Sequence, residues 1–146
     1  MQGNDLASFS PISQATMFEG VLASEPEKLA KVRSRVALTA KNWEHYMFFW
    51  KANEIPIKHA IDLINRHNVG IVVYTLLPDY LVESIEKWLL RKGISTTVTA
   101  YKSIEELAYD LRFFPSIQKV YTANEEHAKT IGFRSTVVTS KTAWSM

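Results

Sequence analysis

The chain is expected to adopt an α/β fold, a Rossmann-like three-layer sandwich built on a mostly parallel sheet. Three observations carry this expectation. The run Val69-Gly70-Ile71-Val72-Val73-Tyr74-Thr75 has the length and β-branched composition of a strand buried on both faces. One helical pattern precedes it and another follows it. Further strand-like runs then alternate with helices, the order that right-handed crossovers turn into a parallel sheet. In such a sheet ligands sit beyond the carboxyl ends of the strands, so Thr75 marks the candidate site.

The elements follow in order. Residues 1–16 read as an arm or irregular first segment, with Ala15-Thr16-Met17-Phe18 a poor strand signal and Gly20 a turn. Ser24-Glu25-Pro26-Glu27 has the form of a capping box, with Pro26 tolerated in the first turn of a basic helix carrying Leu29, Val32 and Val36. In the segment 43–50, five of eight residues are aromatic. Trp43, Tyr46, Met47 and Trp50 share a helical stripe and read as core. The competing reading is an exposed face of Trp43, Tyr46, Phe48, Phe49 and Trp50 that binds a base or a protein partner. Phe48 and Phe49 fall off the stripe.

Pro56 opens a helix over about 57–67 that ends at Asn68 and Gly70. After the strand over 69–76, Asp79 reads as the N-cap of a helix over 80–92 with the stripe Leu81, Ile85, Trp88, Leu89, stopped by Gly93. Residues 94–101 alternate in part and are rich in threonine, a strand pattern. Ser103 and Glu106 form a second capping box, and Pro115 breaks the helix that follows. Ile117–Tyr121 is a short strand, Asn124 caps a last helix that stops at Gly132, and 135–139 is a final strand. The domain spans 17–139, and 140–146 is a tail.

The totals exclude several classes. The chain has 146 residues, enough for one domain with a real core. It contains no cysteine, which removes disulfides, zinc–thiolate sites and a cysteine nucleophile. A net charge of +2 is too weak to argue nucleic acid by itself. The first residues show no signal-peptide pattern, and no apolar run is long enough to span a bilayer. The expectation is a cytoplasmic protein without a membrane partner.

From Met17 onward the layout resembles the haloacid dehalogenase-like superfamily, most of all its small deoxynucleotide phosphatases and the phosphatase domain of polynucleotide kinases. The resemblance is carried by Trp43, Pro56-Ile57, Tyr74-Thr75 with Pro78, Trp88-Leu89 ahead of Gly93-Ile94, and Ile131-Gly132-Phe133, in that order. It implies a minimal helical cap and, since many of these proteins are phage-encoded, a phage source. The family opens with Asp-x-Asp-Gly-Thr/Val. Here the stretch is Met17-Phe18-Glu19-Gly20-Val21-Leu22-Ala23, so the resemblance puts Met17 at the nucleophile position and Glu19 at the acid/base position. A thioether cannot form an aspartyl-phosphate. The resemblance assigns phosphate contacts to Thr75 and Lys102, which match. It assigns magnesium-holding acids to the positions of Thr122 and Ala123, which do not; Asn124, Glu125 and Glu126 nearby are explained by a cap and a first turn.

No other constellation replaces the missing acids. Asp5 lies too far ahead of Gly20, Asp62 and Asp110 fall within helices as solvent-facing residues, and Asp79 serves as a cap. His45, His59, His67 and His127 are scattered without metal-ligand spacing. The expectation is therefore a catalytically inactive domain with no cofactor, acting as a protein-binding, regulatory or assembly subunit. Two alternatives stay open: a nucleotide- or phosphate-binding module without turnover, with Trp43–Trp50 stacking a base, and a magnesium-dependent nucleotide phosphatase. Nucleic-acid binding is compatible with the first two readings.

Overall fold

Residues 13–33 and 40–139 are described by a computed structural model. The arm over 1–12, Val36 and the tail 140–146 lie outside the described residues. The elements are β1 (Ser13–Met17), β2 (Ala23–Ser24), α1 (Glu27–Arg33), α2 (Ala40–Met47), β3 (Lys51–Ala52), α3 (Glu54–His67) and β4 (Gly70–Thr75), then α4 (Val82–Arg91), β5 (Val98–Ala100), α5 (Ile104–Leu111), β6 (Ile117–Thr122), α6 (Glu125–Ile131) and β7 (Ser135–Val137).

Five strands form one sheet in the order β5-β4-β1-β6-β7, and every pair in it is parallel. The fold is the expected Rossmann-like α/β sandwich. β1 is central, so the strand signal that looked poorest belongs to the middle of the sheet, and residues 13–16 of the expected arm are part of it. Its pattern is obscured because Gln14 and Thr16 are polar yet buried. Gln14 is accommodated by accepting a hydrogen bond from the Tyr121 hydroxyl at 2.6 Å.

Alternation along the strands separates two buried clusters. Val73 and Ile71 of β4 join Phe18, Ile57, Ala60 and Leu63 of α3, Ile85, Trp88 and Leu89 of α4, and the α2 residues Trp43, Tyr46 and Met47. Tyr74 joins Ala15 and Met17 of β1, Val120 and Tyr121 of β6, and Ile104, Leu107 and Leu111 of α5. Phe18 is the pivot of the first cluster: its ring stacks on Trp50 at 5.5 Å and meets the edge of Trp88 at 5.2 Å.

β2 and β3 pair antiparallel, Ala23 with Ala52 and Ser24 with Lys51, as a small separate ladder. The chain between these two strands carries α1 and α2. The Ser24 capping box is not made. Ser24 lies in β2 and donates its hydroxyl to Asn53 Oδ1 at 3.0 Å, while α1 starts at Glu27, its first bonds closing on the Pro26 carbonyl. Asp79 is likewise not a side-chain cap. It opens a single 3₁₀ turn, Asp79–Leu81, and α4 begins at Val82.

The remaining boundaries follow the local chemistry. Ser103 Oγ accepts from the Glu106 N–H at 3.2 Å, and Glu106 Oε2 accepts from the Lys102 N–H at 3.0 Å. Asn124 Oδ1 accepts from the His127 N–H at 3.0 Å. β5 is shorter than its pattern suggested: before Val98, Thr96 donates its hydroxyl to the Ile71 carbonyl at 2.7 Å. Among the described residues no helix is long and apolar enough to cross a membrane.

Candidate functional site at the strand carboxyl ends

Parallel strands bring their carboxyl ends to one edge, and the turns after β1, β4 and β6 meet there. Met17 ends β1, Thr75 ends β4 and Thr122 ends β6. After β1 the chain turns at Gly20, whose φ of +84° suits a residue without a Cβ. A Cβ at Gly20 would stand 3.3 Å from the Ala123 Cβ, so the turns after β1 and β6 are in close contact. Gly20 and Ala123, more than a hundred residues apart in the chain, are thus neighbours.

Glu19 is tied to the end of β4. Its Oε2 accepts from the Leu76 N–H at 2.9 Å and from the Thr75 hydroxyl at 3.2 Å. The Thr75 hydroxyl in turn accepts from the Leu77 N–H at 3.1 Å, which fixes its orientation. Glu19 Oε1 is buried and has no hydrogen-bond partner among the described residues. Burial raises the Glu19 carboxyl above its ordinary range. Hydrogen bonds from its own N–H, the Leu76 N–H and the Thr75 hydroxyl oppose that shift, as does the charge of His127, without overcoming it.

The other strand ends carry no acid. The Met17 side chain is packed in the core with Ala15, Tyr74 and Leu107. Thr122 is buried, and its hydroxyl accepts from the Asn124 N–H at 3.2 Å, repeating the Thr75–Leu77 arrangement. Magnesium takes oxygen ligands, usually carboxylates. A buried thioether, an engaged threonine and an alanine do not fit that ion. Among the described residues no three His, Asp or Glu side chains gather as a metal-binding group.

Lys102 is brought to the same edge and lines a groove of about 860 Å³ with Leu76, Leu77, Pro78, Tyr101 and Tyr109. The groove's charged residues are otherwise acidic: Asp79, Glu105, Glu106 and Asp110. Asp110 is not simply solvent-facing, since its carboxylate accepts a hydrogen bond from the Tyr101 hydroxyl. Burial, followed by that hydrogen bond, raises the Tyr101 hydroxyl well above its ordinary range. Tyr74, edge-on to Tyr101 at 5.5 Å, is pushed up to about 12 by burial and by the Asp110 charge, against a smaller opposite pull from Arg134. Both tyrosines stay neutral at pH 7.

The aromatic segment divides. Trp43, Tyr46 and Trp50 are at most 7% exposed and belong to the core, so the reading that placed them on a binding face is corrected. Tyr46 also donates its hydroxyl to the Leu29 carbonyl, holding α1 against α2. Phe48 and Phe49 are 65% and 51% exposed. Their rings meet at 5.7 Å, Phe49 packs edge-on to His45, and the Arg91 guanidinium lies 5.3 Å from the Phe48 ring centre. Exposed Leu90 lies on α4, beside Arg91 in the sequence.

Sequence reasoning missed a second exposed aromatic group. Tyr109, Phe113, Phe114 and Phe133 are all exposed. Arg112 covers Tyr109, and Arg134 lies over Phe133 while donating to the Leu111 carbonyl at 2.7 Å. The Phe113-Phe114-Pro115 sequence was the available signal: a turn that cannot bury two successive rings. The donors of Leu76 and Leu77 are backbone groups and leave no mark on residue type.

No family model matches the chain, and neither a curated protein nor a solved structure matches it.

Proposed function

We propose that the chain is a non-catalytic domain of the haloacid dehalogenase-like kind that acts by binding another protein. One observation carries the reading. The position that the resemblance gives to the nucleophile holds Met17, packed in the core, and Glu19, the acid in the turn after β1, is engaged by Thr75 and Leu76. A phosphoryl-transfer site needs a nucleophile facing its substrate and groups that stabilise the developing charge. The strand order, with β1 central and Thr75 and Lys102 at one edge, is compatible with the resemblance. The exposed pair Phe48–Phe49 with Arg91 supports a protein partner, because aromatic residues and arginine are enriched at protein interfaces.

The test has two arms. Incubation with magnesium and a nucleoside monophosphate is expected to release no phosphate above background. A Phe48→Ser/Phe49→Ser variant is expected to lose a cross-linked partner that the wild type retains. Magnesium-dependent release that Lys102→Ala abolishes would overturn the non-catalytic reading. Equal retention of the partner by both proteins would overturn the role of this face.

A second reading, a nucleotide-binding module without turnover, is favoured by the groove between the ends of β4 and β5 and α5, where Tyr101, Tyr109 and Lys102 stand together. Tyrosine faces stack on bases, which contributes about 1–3 kcal/mol per base. We rank it second because four carboxyl groups share the groove with one lysine, a balance that repels phosphate.

A further inference from the structure

α5 packs Ile104, Leu107 and Leu111 into the second cluster and turns its opposite face outward. That face carries Glu105, Tyr109 and Arg112, all exposed, at intervals of four and three residues. Side chains so spaced share one side of a helix. Arg112 follows the last residue of α5 with helical backbone angles, so the stripe runs on without a break. Phe113, also exposed, meets the Tyr109 ring at 5.7 Å, and half-buried Ala108 borders the stripe. Neither end charge is used up within the molecule. Among the described residues no ion pair involves Glu105 or Arg112. The neighbouring acid, Glu106, is engaged by the Lys102 N–H at the start of the helix. The carbonyls at the other end already have a cation, since Arg134 donates to those of Leu111 and Phe114 at 2.7 and 3.3 Å. Arg112 lies instead over the Tyr109 ring, 5.2 Å from its centre.

The order acid, ring, base along one short helix is complementary to itself. We propose that the outward face of α5 is a homodimer interface, in which a second copy lays its own α5 antiparallel across this one. A two-fold axis passing between Ala108 and Tyr109 sets Glu105 of each copy opposite Arg112 of the other. Each Tyr109 then falls against the small Ala108 of the other copy. Such an interface is isologous, each patch meeting its own image. The charges fix the direction, because a parallel pairing would set acid on acid and base on base. This face is separate from the Phe48–Phe49 pair: α2 and α4 pack with the first cluster and α5 with the second, on the other side of the sheet.

Analytical ultracentrifugation from about 10 μM to about 1 mM reads the association, the range suited to a reversible contact one short helix long. The wild-type mass is expected to rise from that of one chain towards that of two. Arg112→Glu and Glu105→Arg each bring like charges together at both ends of the pairing, and each is expected to weaken it at least about tenfold. Mixing these two variants restores both opposite-charge pairs, so the mixture is expected to dimerise as the wild type does. A helix merely damaged by either substitution has no means of regaining the contact in the mixture.

A wild type that stays at one chain across the range would overturn the proposal, as would one that grows beyond two, the mark of a heterologous contact. So would reversals that dimerise like the wild type, or a mixture no more associated than its components. Should a reversal lack a folded state, Tyr109→Glu takes its place, with two carboxylates set together near the axis and the same loss expected. Phe48→Ser/Phe49→Ser is expected to dimerise as the wild type does, and a monomeric result there would assign self-association to the other face and sink this inference. Retention of the cross-linked partner by that variant would sink the earlier reading and leave this one standing.

Discussion

The Tyr121 hydroxyl donates to the Gln14 side-chain oxygen at 2.6 Å, joining β6 to β1 inside the sheet. Both residues are about 1% exposed. This bond lets a polar residue occupy the central strand. Tyr121→Phe deletes the donor and leaves the Gln14 oxygen without it in a dry setting, so a loss of about 1–3 kcal/mol is expected. Urea denaturation of the two proteins measures it, and a change within error would show that Gln14 is satisfied by its other contacts.

Glu19 gives a pH dependence of defined sign. Burial places its folded-state titration above the ordinary 4.5, so the folded protein holds this proton more tightly than the unfolded chain. Relative to Glu19→Gln, which does not titrate, the wild type is at its most stable below pH 4.5 and loses ground as pH rises through the raised value. Above that value the difference is constant. Denaturation of both proteins across this range measures it, and a difference that moves in the wild type's favour with rising pH would contradict the environment described for Glu19.

The aromatic segment 43–50 supplies an internal comparison. Trp50→Ala empties a buried site stacked on Phe18 and is expected to cost about 3–5 kcal/mol. Phe48→Ser and Phe49→Ser remove exposed rings and are expected to stay within about 0.5–1 kcal/mol of the wild type. Comparable losses at all three positions would mean that Phe48 and Phe49 are covered within the folded chain.

Asn53 fastens the turn after β1. Its Nδ2 donates to the Val21 carbonyl at 2.9 Å, its Oδ1 accepts from the Ser24 hydroxyl at 3.0 Å, and its backbone N–H donates to the Leu22 carbonyl at 2.9 Å. Asn53→Ala removes the first two bonds and keeps the third. A loss of about 1–3 kcal/mol is expected, with faster amide exchange of the turn over 20–23. Unchanged exchange there would assign the fastening to the backbone bond alone.

What was legible in the sequence was local. Ser103 with Glu106, Asn124 with the His127 N–H, and the stops at Gly93 and Gly132 act over a few residues, and residue type was enough to read them. Where a distant partner competes, residue type misleads. Ser24 has the spacing of a cap but bonds Asn53, 29 residues away. β1 was nearly invisible because Gln14 and Thr16 break its apolar pattern, and Gln14 is satisfied by Tyr121, 107 residues later. The candidate site divides the same way. Thr75 was readable as the end of a buried strand. The bonds that engage Glu19 come from a hydroxyl and a backbone N–H 56 and 57 residues away, which no spacing rule reports.

The sheet tapers outward: β5 and β7, its two borders, are three residues each, against five or six for the strands between them. A border that short offers only one or two free backbone rungs, too few to template another chain. Copies of this domain should therefore resist stacking border to border at high concentration. An extended peptide would gain little by adding itself as a sixth strand. If the domain binds a partner as proposed, side chains on its helical and turn surfaces would carry the contact, with shape and charge rather than backbone pairing setting specificity.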